Sequence, residues 1–131
     1  MSFISHLAKT SLNKIFKNLA NDMGVEVGSV QLGIYYDKAG NQKYCGYKDM
    51  VREKDIELDD YVGASFDFSG GTEVIKTTIA QAGAGYAKEL KAPISDIKII
   101  MAYREKGLPA AALMNGGAKV RSIDIEKDFL R

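Results

Sequence analysis

Four tyrosines, Tyr35, Tyr36, Tyr44 and Tyr47, fall in one short stretch among Lys38, Lys43 and Lys48. Aromatic rings interleaved with ammonium groups can stack unpaired bases while the lysines hold phosphates. They can equally form the rigid centre of a protein interface, or pack across the strands of their own hairpin. The adjacent stretch Val51 to Phe68 carries Glu53, Asp55, Glu57, Asp59, Asp60 and Asp67 against only Arg52 and Lys54, a local net charge of −4. That field repels phosphate, so the sequence favours a protein partner over a nucleic acid.

A second candidate is Ser69-Gly70-Gly71-Thr72, which opens an amphipathic stretch. Glycines let successive amides point inward and a helix start adds positive potential, the combination that holds anions. Phosphate loops usually also carry a lysine, and here the first is Lys76. The run matches neither the Walker pattern nor the dinucleotide glycine fingerprint. It reads as a tight turn with a hydroxyl cap, or alternatively as the site of a small anionic ligand in a binding protein or enzyme.

Nucleophilic and metal chemistry find little material. There is one histidine, His6, and one cysteine, Cys45. A zinc site of the usual kind needs more such ligands, and a thiol nucleophile needs a base that a histidine on the terminal helix is poorly placed to be. The acidic run lacks the spaced oxygens and loop glycine of a calcium site. No catalytic residue, metal ligand or cofactor is assigned.

These candidates are positioned by elements that local pattern predicts. Phe3, Ile4, Leu7, Leu12, Ile15, Phe16, Leu19 and Met23 recur at helical spacing, with Ser2 as a cap and Gly24 as a stop. Its stripe predicts a helix that covers the sheet or forms a dimer surface. Val30, Leu32 and Ile34 alternate with Gln31, Gly33 and Tyr35, and Gly40-Asn41 then turns the chain into Lys43 to Tyr47, a hairpin. Val51 to Asp60 shows no clean period and reads as a solvated connection into a strand at Tyr61 to Phe68. Val74, Ile75, Thr78, Ile79, Ala82, Tyr86 and Leu90 predict a second helix over Thr72 to Lys91, stopped by Pro93. Two glycines inside it, Gly83 and Gly85, each cost about 1 kcal/mol against alanine, which points to a close approach by another backbone element. Ile97, Ile99 and Met101 form the apolar face of a strand. Asn115-Gly116-Gly117 then joins two more strands, and the slipped alternation at Val120 to Ile125 predicts a bulge or a last helical turn.

At 131 residues the chain reads as one domain, 1–131, with enough core to fold without disulfides. Eighteen basic against seventeen acidic residues give +1, so bulk charge selects no partner class. No apolar run is long enough for a membrane span and no secretory signal is recognisable. A single cysteine fits a reducing compartment, hence a cytoplasmic protein. The predicted architecture is an α+β domain of two layers. Two main helices pack on a mainly antiparallel sheet of five or six strands, in the order α-β-β-β-α-β-β-β. The functional expectation is a non-enzymatic interaction module, chaperone-, adaptor- or inhibitor-like, acting as a homodimer on another protein with no membrane partner.

Overall fold

A computed structural model describes residues 3–63 and 68–129. Helix α1 spans Phe3–Met23 and ends in Gly24 at φ +68°, where the Val25 amide returns to the Ala20 carbonyl at 3.0 Å. Glycine adopts this left-handed cap without strain. Strands β1 (Val30–Tyr36), β2 (Gln42–Lys48) and β3 (Val51–Ile56) follow. Helix α2 spans Gly71–Leu90, and β4 (Ile97–Ala102), β5 (Ala110–Asn115), β6 (Ala118–Ile123) and the short α3 (Ile125–Phe129) complete the chain.

The six strands form one sheet in the order β3-β2-β1-β4-β5-β6, and every neighbouring pair is antiparallel. Four of the pairings join consecutive strands, so among the described strands only the β1 to β4 pairing joins distant parts of the chain, with Gly33 opposite Ile100. The predicted α+β class and element order are observed, with six strands among the described residues.

One face of the sheet carries Leu32, Ile34, Ile99, Met101 and Leu113, each 0% exposed. Leu12, Ile15, Phe16 and Leu19 of α1, Ile79 and Tyr86 of α2, and Ile125 of α3 join them in a single cluster. The predicted stripe of α1 therefore enters the core from Leu12 onward; the Ser2 cap and the side chains nearer the N-terminus lie outside the described residues. On α2 the buried positions are Thr72, Ile79, Gly83 and Tyr86, whereas Val74, assigned to the stripe, is 65% exposed.

The third strand lies elsewhere than expected. Val51 to Ile56 pairs with β2 along the sheet edge, with every side chain exposed except Ile56. An edge strand needs only backbone partners on one side, so its charged residues show no apolar alternation. Tyr61 to Gly63, assigned to a strand, form a turn instead. Leu58 and Val62 plug the core there, and Asn18 Nδ2 donates to the Tyr61 carbonyl at 2.7 Å. The remainder of that expected strand, 64–67, lies outside the described residues.

Both sheet edges are interrupted. Lys54 and Arg52 oppose Gly46 and Tyr47, leaving Glu53 extra in β3, and Arg121 and Lys119 oppose Leu113 and Met114, leaving Val120 extra in β6. The second bulge falls within the predicted slip, and α3 supplies the last helical turn.

Candidate functional site

Alternation along β1 and β2 splits the four tyrosines between the two faces of the sheet. Tyr36 and Tyr44 belong to the helix-covered cluster. The Tyr36 hydroxyl donates to the Ile79 carbonyl of α2 at 3.3 Å, and burial pushes its phenol well above the ordinary range. Gln42 Nε2 donates to the Tyr44 hydroxyl and to the Lys76 carbonyl, the latter at 3.2 Å. Burial raises the Tyr44 phenol as well, partly offset by the Gln42 hydrogen bond.

Tyr35 and Tyr47 lie on the opposite face. There Cys45, Tyr47 and Ile100 form a second apolar cluster, with Tyr35 and Met114 packed against it. Among the described residues no helix contributes to this cluster.

The Tyr47 ring lies across Gly33: a Cβ at Gly33 would sit 2.5 Å from Tyr47 Cε1 and 2.8 Å from Cys45 Sγ. Lys98 Nζ donates to the Tyr47 hydroxyl at 3.1 Å and stands 5.8 Å from the ring centroid. The Arg52 guanidinium sits 4.9 Å from the Tyr35 ring centroid, within cation–π range. It donates to the Tyr35 hydroxyl at 2.9 Å and pairs with Asp55. Asp55 also accepts from that hydroxyl at 3.3 Å. The Tyr35 phenol is raised, chiefly by burial, and the Asp55 carboxyl is held below its ordinary value by Arg52. The Cys45 thiol is 0% exposed and burial pushes its pKa up, which disfavours the reactive thiolate.

At the Ser69-Gly70-Gly71-Thr72 turn, Gly70 occupies the N-cap at φ +86°, so the capping position itself carries no hydroxyl. Thr72 is 0% exposed and its Oγ1 has no hydrogen-bond partner among the described residues. Lys76, the nearest following cation, is drawn to Asp59 at 2.6 Å and to Glu73 at 3.8 Å. The turn thus brings no uncommitted lysine of its own to an anion.

A further hollow, between α2 and the β6–α3 corner, holds Arg121. This guanidinium meets Asp128 at 3.2 Å and Glu89 at 3.5 Å, above the Tyr86 ring. Its charges satisfy one another.

Register shows what local reading missed. Lys98 and Ile100 share a face by alternation alone, but Arg52, Met114 and Lys119 join Tyr35 and Tyr47 only through strand pairing. The fold and site define an antiparallel α+β domain with helices on one face and an aromatic, cationic layer on the other. No family model, curated protein or solved structure matches the chain.

Proposed function

We propose that this protein is a non-enzymatic interaction module that holds another protein on the face of the sheet opposite its helices. One observation carries the reading: a second cluster around Cys45, Tyr47 and Ile100 to which no described helix contributes. Tyrosine, methionine and arginine are the residues enriched in protein interfaces, and Tyr35, Tyr47, Met114 and Arg52 supply them there. The bulges at Glu53 and Val120 interrupt both edge ladders, a device that discourages strand addition, so recognition falls to the face. The protein acts as a homodimer in a reducing, cytoplasmic setting, where Cys45 stays a thiol. No described helix is long and apolar enough to cross a membrane.

Selection of a displayed random-peptide library on the purified protein tests this reading. Recovered peptides should bind the parent and lose binding to Met114→Asp, a half-buried position on that face. Recovery of no peptide, or of peptides indifferent to Met114→Asp in a variant that keeps its fold, overturns it.

A further inference from the structure

Strand register places five side chains in one row across the sheet. Lys43 of β2 is opposite Tyr35 of β1, Tyr35 is opposite Lys98 of β4, Lys98 is opposite Met114 of β5, and Met114 is opposite Lys119 of β6. Directly paired residues point to the same side, so the row alternates cation, ring, cation, thioether, cation. Strands lie about 4.8 Å apart, which sets Lys98 about 10 Å from each of the other two lysine positions and Lys43 about 19 Å from Lys119. In the next row Cys45, Gly33, Ile100, Ala112 and Ser122 are opposite one another in turn; the Tyr47 ring covers the Cys45 and Gly33 end, and Ala112 and Ser122 are the more open positions.

Charge on this face is one-sided although the chain is nearly neutral. Among the paired positions Lys43, Arg52, Lys98 and Lys119 stand against Asp55, which Arg52 neutralises; of the acidic residues around them, Glu53 is the unpaired bulge residue of the edge strand and Asp59 is drawn to Lys76 on α2. Two copies meeting through this face would oppose like charges across an apolar centre, which costs free energy. A second copy of the chain therefore fits this face poorly.

We infer that the occupant is an acidic segment of a partner protein, with carboxylates meeting the lysine row and apolar side chains resting on the half-buried Met114 and Ala112. The inference rests on the interaction-module reading and adds the partner's chemistry. Single-stranded nucleic acid fits less well, because stacking needs an open ring face. Here Arg52 lies over the Tyr35 ring and Tyr47, only 7% exposed, lies across Gly33.

Fluorescence anisotropy with four probes tests it: a labelled 16-residue peptide of glutamate, leucine and alanine, the same peptide with lysine for every glutamate, oligothymidylate, and phosphatidylserine vesicles. The acidic peptide should bind, weaken roughly tenfold as salt rises from about 50 to 300 mM, and lose binding to Lys43→Glu/Lys119→Glu. Both lysines are exposed, so that variant should keep the parent circular dichroism. Lys127→Glu, on α3, should bind as the parent does. Equal binding of the lysine peptide, tighter binding of oligothymidylate or vesicles, or no binding of the acidic peptide overturns the inference. If library selection still yields ligands sensitive to Met114→Asp in that case, the interaction-module reading survives and only the partner's chemistry is wrong.

Discussion

The ring of Tyr36 in β1 lies directly against Gly83, so the strand meets α2 through a tyrosine seated where the helix has no side chain. The Tyr36 hydroxyl then reaches the Ile79 carbonyl one turn earlier in the same helix. A Cβ at Gly83 would overlap the phenolic oxygen, whereas one at Gly85 would meet nothing within 4 Å.

The two helix glycines should therefore respond oppositely to alanine. Gly83→Ala forces Tyr36 aside and should destabilise the fold by about 1 to 3 kcal/mol. Gly85→Ala gains helix propensity without a clash and should stabilise by up to about 1 kcal/mol. Urea midpoints of the two variants decide the matter; stabilisation by both would mean that Tyr36 does not pack on Gly83.

On the other face, Gly33 and Tyr47 form a comparable pair. Gly33→Ala should cost about 1 to 3 kcal/mol by overpacking, and much of that cost should vanish when Tyr47→Ala removes the ring. A double-mutant cycle reads the coupling. Additive effects would show that the ring does not lie across the glycine.

Asp49 and Met50 join β2 to β3 with φ values of +49° and +68°. Non-glycine residues in the left-handed region cost about 1 to 2 kcal/mol each. Met50→Gly should relieve part of this and raise the thermal midpoint, provided the amide keeps its 2.8 Å hydrogen bond to Gln31 Oε1. An unchanged or lower midpoint would show that the methionine side chain, 59% exposed, contributes packing of its own.

Alkaline pH should weaken the fold in a defined window. Burial raises the phenols of Tyr36, Tyr44 and Tyr86 above the ordinary value of 10.0, and for Tyr86 the hydrogen bond to Asp128 adds to the shift. A group whose pKa is raised on folding contributes its full stability below the unfolded value and loses it as pH rises through the folded one. Stability should thus hold up to about pH 10 and fall above it. Urea titrations between pH 9 and pH 11.5, followed by tyrosinate absorbance, should show Tyr36→Phe with a shallower decline; equal slopes would exclude Tyr36 as a contributor.

Much of the fold was legible locally, for reasons that particular residues make plain. Gly24, Gly40 and Gly116 adopt positive φ at element ends, and Ile97, Ile99 and Met101 alternate as a strand with one buried face must. The edge strand at Val51 to Ile56 was not legible, because an edge needs backbone partners and no apolar period. Leu58 and Val62 anchor a turn in the core, whereas the local pattern puts Leu58 in a solvated connection and Val62 in a strand.

For the candidate surface, the sequence by itself determined which residues share a face within a strand: Tyr35 with Gly33 and Gln31, Lys98 with Ile100. It also supplied the tyrosines and lysines of the hairpin. Tertiary structure alone decided that Tyr36 and Tyr44 turn toward the helices, and that Lys43, Tyr35, Lys98, Met114 and Lys119 form one row. The reason is geometric. Alternation has a period of two and is written in each strand, but β1 meets β4 across an intervening hairpin, edge strand and helix, and no local pattern encodes that register.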